Sequence, residues 1–175
     1  GRLENGVKTG RGTEYHENGV AAFEGTFADG LYTGEGTLRD EAGNVLYEGG
    51  FQEGLYDGTG SLYADNALVY EGEFAQGLYD GEGALYNEDG TLLYQGGFSQ
   101  GVYSGTGALY LEGGARVEGT FAAGAVTGTA RYYEGETLVY EGALADGNAQ
   151  GTGLGLAICS EVARRHDIRI DVTSR

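Results

Sequence analysis

The sequence predicts an all-β protein: an elongated single-layer antiparallel β-hairpin meander with a short C-terminal helix and strand. Three observations lead there. One 17-residue unit recurs along the chain, residues within each unit alternate between apolar and polar character, and only a few turn-prone residues separate the units. Composition agrees, because 36 Gly and 14 Tyr beside no Pro, Trp or Met report a short motif copied many times.

The copies begin at Phe23, Tyr47, Tyr70, Tyr94, Val117 and Tyr140, with spacings of 24, 23, 24, 23 and 23 residues. A truncated copy opens the chain, with Gly1 in place of the unit's first glycine and Gly10 and Gly12 in place of its later pair. This makes seven repeat registers over residues 1–154, each too small to bury its apolar side except against its neighbours.

Within the second full copy, Tyr47, Gly49 and Phe51 alternate with Glu48 and Gly50. After the break at Gln52-Glu53-Gly54, Tyr56, Gly58, Gly60 and Leu62 alternate with Asp57, Thr59 and Ser61. Period two around a Gly-containing break is a β-hairpin. The alternation gathers aromatic rings and glycines on one face and sends Glu48 and Asp57, like Glu71 and Asp80 in the next copy, to the other. A glycine inside a strand ordinarily weakens it, so its recurrence here predicts rings lying flat on side-chain-free backbone. The segments Asp40 to Asn44, Asp65-Asn66 and Glu88-Asp89-Gly90 link one unit to the next, and such short links force antiparallel neighbours.

The consensus YEGxFxxGxYxGxGxLY at this period resembles the MORN (membrane occupation and recognition nexus) repeat over residues 1–154. The resemblance implies an extended β-sheet used for protein association, with lipid binding proposed for some members, and no catalysis by the repeats. Val117, Ala125-Val126 and Asn148-Ala149 depart from the consensus, and this decay toward the C-terminus suits a capping end.

From Gly151 the chain reads GTGLGLAICSEVARRHDIRIDVTSR. This is similar to the second glycine box, helix and strand of sensor histidine kinase ATP-binding domains, in which Gly151, Gly153 and Gly155 would form the phosphate-side turn. Gly151 and Gly153 also fill the GxG positions of the repeat itself. Leu154, Ile158 and Val162 make a helical stripe, and Ile168, Ile170 and Val172 alternate as a strand. The other elements of that kinase site are missing from the sequence, so residues 155–175 are expected to be a helix and strand tail or cap, packing on or trailing from the last repeat, with no cofactor bound.

Charge narrows the partners. Residues 1–150 hold 6 basic and 24 acidic side chains, against 4 and 3 in residues 151–175. A net charge of −17 repels nucleic acid and anionic lipid and suits a basic or neutral protein partner. Cys159 is the sole cysteine, which leaves no internal disulfide or multi-thiolate metal site. His16 and His166 imply no catalytic set, and the acidic turns lack the ligand spacing of a calcium loop. No apolar run of 18 residues and no leader is visible, so a cytoplasmic setting is expected.

These readings predict a noncatalytic scaffold that binds a protein through its sheet surface, with Tyr56, Tyr63, Tyr79, Tyr86, Tyr103 and Tyr110 as the candidate contact residues and no catalytic or metal-binding residue. Open sheet ends also allow end-to-end self-association. The alternatives are peripheral lipid binding and a regulatory repeat region attached to a kinase-like fragment.

Overall fold

Each of the five 17-residue units from Phe23 to Val117 folds as one hairpin, closed by a two-residue turn in which both residues take positive φ. Asp29-Gly30, Glu53-Gly54 and Gln76-Gly77 all show this, with φ of 50° and 82°, 51° and 83°, and 51° and 82°. Two positive φ values give the turn that matches the right-handed twist of paired strands, which is why the second position is always glycine. A computed structural model of the chain describes residues 2–145 and 148–149, and these are almost entirely strand.

Two units are distinguished, Gly1–Leu92 and Leu93–Arg175. The first contains β1 (Arg2–Glu4), β2 (Val7–Tyr15), β3 (Ala21–Ala28), β4 (Leu31–Arg39), β5 (Val45–Gln52), β6 (Leu55–Ala64), β7 (Ala67–Ala75) and β8 (Leu78–Tyr86). Each strand pairs antiparallel with the next, from β1–β2 through to β7–β8. The second contains β9 (Leu92–Ser99), β10 (Val102–Tyr110), β11 (Ala115–Ala122), β12 (Ala125–Glu134), β13 (Thr137–Ala145) and β14 (Asn148–Ala149), paired in the same sequential way. A single 3₁₀ turn at Glu112–Gly114 joins β10 to β11. The expected hairpin meander is therefore present in both units, while the expected C-terminal helix and strand lie outside the described residues.

The predicted stacking on glycine is the core of the fold. Register pairing sets Gly25 beside Gly36, Gly49 beside Gly60 and Gly72 beside Gly83, so a glycine stripe crosses the first sheet. Phe23, Tyr47 and Tyr70 lie on this stripe and are fully buried, although the sheet has a single layer. A second ring covers each of them: Tyr32 on Phe23, Tyr56 on Tyr47 and Tyr79 on Tyr70, with centroids 3.8 to 3.9 Å apart and planes within 14°. Phe51 and Phe74 then stand edge-on to the ring of the preceding hairpin, Phe51 to Phe23 and Phe74 to Tyr47, both at 5.2 Å. Offset and edge-to-face pairs of this kind contribute about 0.5–1.5 kcal/mol each beyond burial, so the ring lattice joins one hairpin to the next.

The second unit repeats the arrangement at Tyr94 and Tyr103, stacked at 3.9 Å, with Phe121 edge-on to Tyr94 at 5.1 Å. It then changes at Val117, which is buried like the rings it replaces but has no flat surface to stack. There a Cβ on Gly119 would lie 3.3 Å from Ala130 Cβ and 3.4 Å from Val126 Cγ1, so small aliphatic groups stand beside this glycine in place of a ring.

Backbone bonds fasten successive hairpins at their turns. The turn amides of Gly30, Gly54 and Gly77 donate to the carbonyls of Lys8, Tyr32 and Tyr56 in the preceding hairpin, at 3.0, 2.9 and 2.8 Å. On the opposite edge, Asp40 and Asp89 organise the links between units as the sequence suggested: Asp40 Oδ1 accepts from the amides of Ala42 and Asn44, and Asp89 Oδ1 accepts from that of Thr91, all at 2.9 Å.

Candidate interaction surface

Because side chains alternate along a strand, covering one face with rings leaves the other to the polar residues. Cross-strand register lines these up. In the first unit the row runs Thr13, Glu24, Thr37, Glu48, Ser61, Glu71, so a carboxylate recurs on every second strand. Neighbouring strands are about 4.8 Å apart, which spaces the carboxylates at about 9.6 Å.

A shallow open trough of about 400 Å³ lies on this face, lined by Arg11, Thr13, Glu24, Glu35, Thr37 and Glu48 with glycine backbone between them. Glu24 is held by Arg39 at 2.6 Å. Glu48 and Glu71 are exposed, and neither belongs to a salt bridge among the described residues. The corresponding trough of the second unit, about 530 Å³, is more nearly neutral, because Arg131 pairs with Glu141 at 3.0 Å and Arg116 with Glu118 at 2.8 Å. The negative potential of the polar face is thus concentrated in the first unit.

The six candidate tyrosines fall into two sets. Tyr56, Tyr79 and Tyr103 share the parity of the stripe glycines and form the outer layer of the ring lattice. Burial raises the hydroxyl pKa of all three, as expected for groups whose phenolate would be poorly solvated. Tyr63, Tyr86 and Tyr110 follow Leu62, Leu85 and Leu109 and so alternate onto the polar face, where they remain half-exposed at its link-side edge. The structure therefore does not bring the six together on one surface.

At the turn-side edge of the same polar face stands a row absent from the sequence reading. Leu31, Leu55 and Leu78 each directly precede a stacked tyrosine, alternate to the opposite side, and are each 49% exposed. The signal was present in the recurring Gly-Leu-Tyr of the unit, in which an aliphatic residue faces away from the rings.

Among the described residues, no group of three His, Cys, Asp or Glu side chains is placed to hold a metal ion. His16 Nε2 lies 2.9 Å from the Arg39 carbonyl oxygen, a contact that ties two successive links together. No helix of the described residues is long and apolar enough to cross a membrane. Gly151, Gly153, Gly155, Cys159 and His166, which carry the kinase-like reading of the tail, lie outside the described residues.

Compared with known protein families, the chain matches the MORN repeat over residues 1–20, 23–45, 47–67, 70–92 and 94–116. The match covers the consensus copies and stops where Val117 replaces the leading ring. A search of curated proteins finds no match.

Proposed function

The chain belongs to the MORN repeat family, and from that premise we propose that it is a noncatalytic scaffold that holds a protein partner on the polar face of its hairpin sheets. The carrying observation is the row of Glu24, Glu48 and Glu71, one carboxylate per hairpin on a face whose floor is glycine backbone. A repeated charge at fixed spacing offers little to a small substrate, which needs convergent groups in an enclosed site. It suits an elongated partner segment that presents lysine or arginine at similar intervals, since complementary potentials speed encounter and set register.

The same charge works against anionic lipid, because the surface potential of such a membrane is negative as well. Protein association and membrane recognition are separated by two measurements. In a pull-down, the chain is expected to retain proteins in a salt-sensitive way, and the triple variant Glu24→Lys, Glu48→Lys, Glu71→Lys is expected to lose them. In vesicle flotation, both neutral and anionic vesicles are expected to leave the chain behind. Retention on vesicles together with an unchanged protein profile for the triple variant would overturn the proposal.

A further inference from the structure

Val7, Leu31, Leu55 and Leu78 occupy the same position in four successive hairpins of the first unit, immediately after the turn, and are 43%, 49%, 49% and 49% exposed. They form a line. The branched ends of the first three lean toward the turn glycine of the following hairpin: a Cβ on Gly30 would lie 3.6 Å from Val7 Cγ1, one on Gly54 3.8 Å from Leu31 Cδ2, and one on Gly77 3.9 Å from Leu55 Cδ2. The turn amides below are fixed to the preceding hairpin, so the ridge is held in place before any partner arrives. Single exposed leucines are common on protein surfaces, but these recur at one fixed interval on a held backbone and so offer a regular line of apolar contacts.

We infer that this ridge seats one amphipathic helix of a partner protein, whose apolar stripe is bordered by lysine or arginine. The inference rests on the scaffold reading and specifies the partner's chemistry.

Spacing selects the helix. Successive ridge residues sit on every second strand, about 9.6 Å apart. An α-helix returns a side chain to the same face at i+7 after about 10.5 Å, whereas an extended chain covers that span in about three residues and then presents its opposite face. The ridge also runs across the strands, whose backbone groups are already paired within the sheet, so an added strand would find no ladder there. Four ridge positions span about 29 Å, the length of a helix of about 20 residues.

Charge selects the flanks. Asp29 and Glu53 lie in the turns themselves, Asp57 and Asp80 two residues beyond the ridge leucines, and Glu35 farther along the same face. Lys8 is turned to the ring face, where it sits 5.5 Å from the centre of Phe27 and pairs with Glu14. A second copy of this chain, with its own net charge of −17, would meet repulsion.

The test uses the full chain and a fluorescent designed peptide of about 21 residues, helical, with leucine at heptad spacing and lysine on both borders. Expected are one-to-one binding that persists at elevated salt, selective shifts of the Leu31, Leu55 and Leu78 methyl resonances, and at least tenfold weaker binding by the Leu31→Thr, Leu55→Thr, Leu78→Thr variant. Leu55→Thr alone should weaken binding to a lesser degree, and unchanged ring-face resonances will show that both variants are folded. Tyr63→Thr with Tyr86→Thr, at the other edge of the polar face, should bind like the unaltered chain.

Absence of binding by the unaltered chain overturns the inference, as does binding that the leucine variants leave intact. Loss of binding in the Tyr63 and Tyr86 variant instead would overturn the ridge while leaving the scaffold reading in place. That reading fails separately, through the carboxylate variants. Capture of the chain by neutral vesicles through the same leucines, without peptide binding, overturns the inference in favour of a lipid surface.

Discussion

The ring of Tyr47 occupies the space that a side chain on Gly60 would need: a Cβ built there overlaps the ring, falling 2.6 Å from Cε2 and closer to the hydroxyl. Tyr47 is fully buried between this glycine and Tyr56, so the overlap has nowhere to go. Gly60→Ala is therefore expected to destabilise the fold by about 3 kcal/mol, as overpacking of a filled core does. Gly58→Ala should cost about 1 kcal/mol, because that position is open space and only its φ of 83° is unfavourable to alanine. Denaturation midpoints will rank the two. Shrinking the ring with Tyr47→Leu should make Gly60→Ala less costly than in the unaltered chain, and simple additivity would refute the overlap.

Much of this arrangement is legible in the sequence, because the period-two pattern alone puts Tyr47, Gly49, Gly60 and Leu62 on one face. Parity also distinguished the two kinds of tyrosine: Tyr56 shares the parity of Gly60, and Tyr63 that of Ser61. Treating the six candidate tyrosines as one surface overlooked that distinction. The alignment of Leu31, Leu55 and Leu78 was not legible in the same way. It depends on how far one hairpin is displaced against the next, which the ring contacts and the turn amides decide and no single unit encodes.

Burial makes the ring lattice sensitive to alkali. The Tyr47 hydroxyl is pushed up from its ordinary value of 10 to about 12, chiefly by desolvation, with nearby Glu35 adding to the effect. A hydroxyl whose pKa is raised by folding keeps its proton longer in the native state, so the stability it confers is complete below pH 10 and is lost as pH climbs from 10 toward 12. Tyr56, Tyr70, Tyr79 and Tyr103 are shifted in the same direction for the same reason. The phenolate absorbance of the stacked set is expected to rise only together with loss of strand signal. A complete rise with the fold intact would contradict the buried lattice.

The link between the first two full hairpins depends on one carboxylate. Asp40 accepts from the amides of Ala42 and Asn44 and from the Asn44 side chain, each at 2.9 Å. These bonds, that of the Asn44 side chain first, hold its pKa below the ordinary 3.8. A lowered pKa means the stabilisation is present above pH 3.8 and disappears as pH falls through the lowered value. Asp40→Ala is expected to speed amide exchange at Ala42 and Asn44 at neutral pH. Asp40→Asn retains an acceptor oxygen and should abolish the acid dependence while preserving most of the protection. Equal exchange in all three proteins would show that the strands alone hold the link.

The leading tyrosine of the unit has a second role that its hydroxyl reveals. Between β5 and β6 the ladder pairs Gly49 with Gly60 and Phe51 with Tyr56, and Gly50 is passed over. The Gly50 carbonyl instead accepts from the Tyr47 hydroxyl at 3.0 Å, and the Tyr70 hydroxyl serves the Glu73 carbonyl in the same way at 2.9 Å. Where the leading residue has no hydroxyl, the skipped position keeps a ladder partner: Thr26 pairs with Thr33 in the Phe23 unit, and Thr120 with Thr127 in the Val117 unit. Tyrosine thus replaces a strand partner at an irregularity of the sheet, where an unpaired carbonyl would be costly. Tyr47→Phe is expected to destabilise by about 1 kcal/mol, the worth of one buried hydrogen bond. Phe23→Tyr should gain less than that, since Thr26 is already paired. Equal and opposite effects from the two substitutions, measured by denaturation, would mean that the hydroxyl adds a bond without regard to the ladder beneath it.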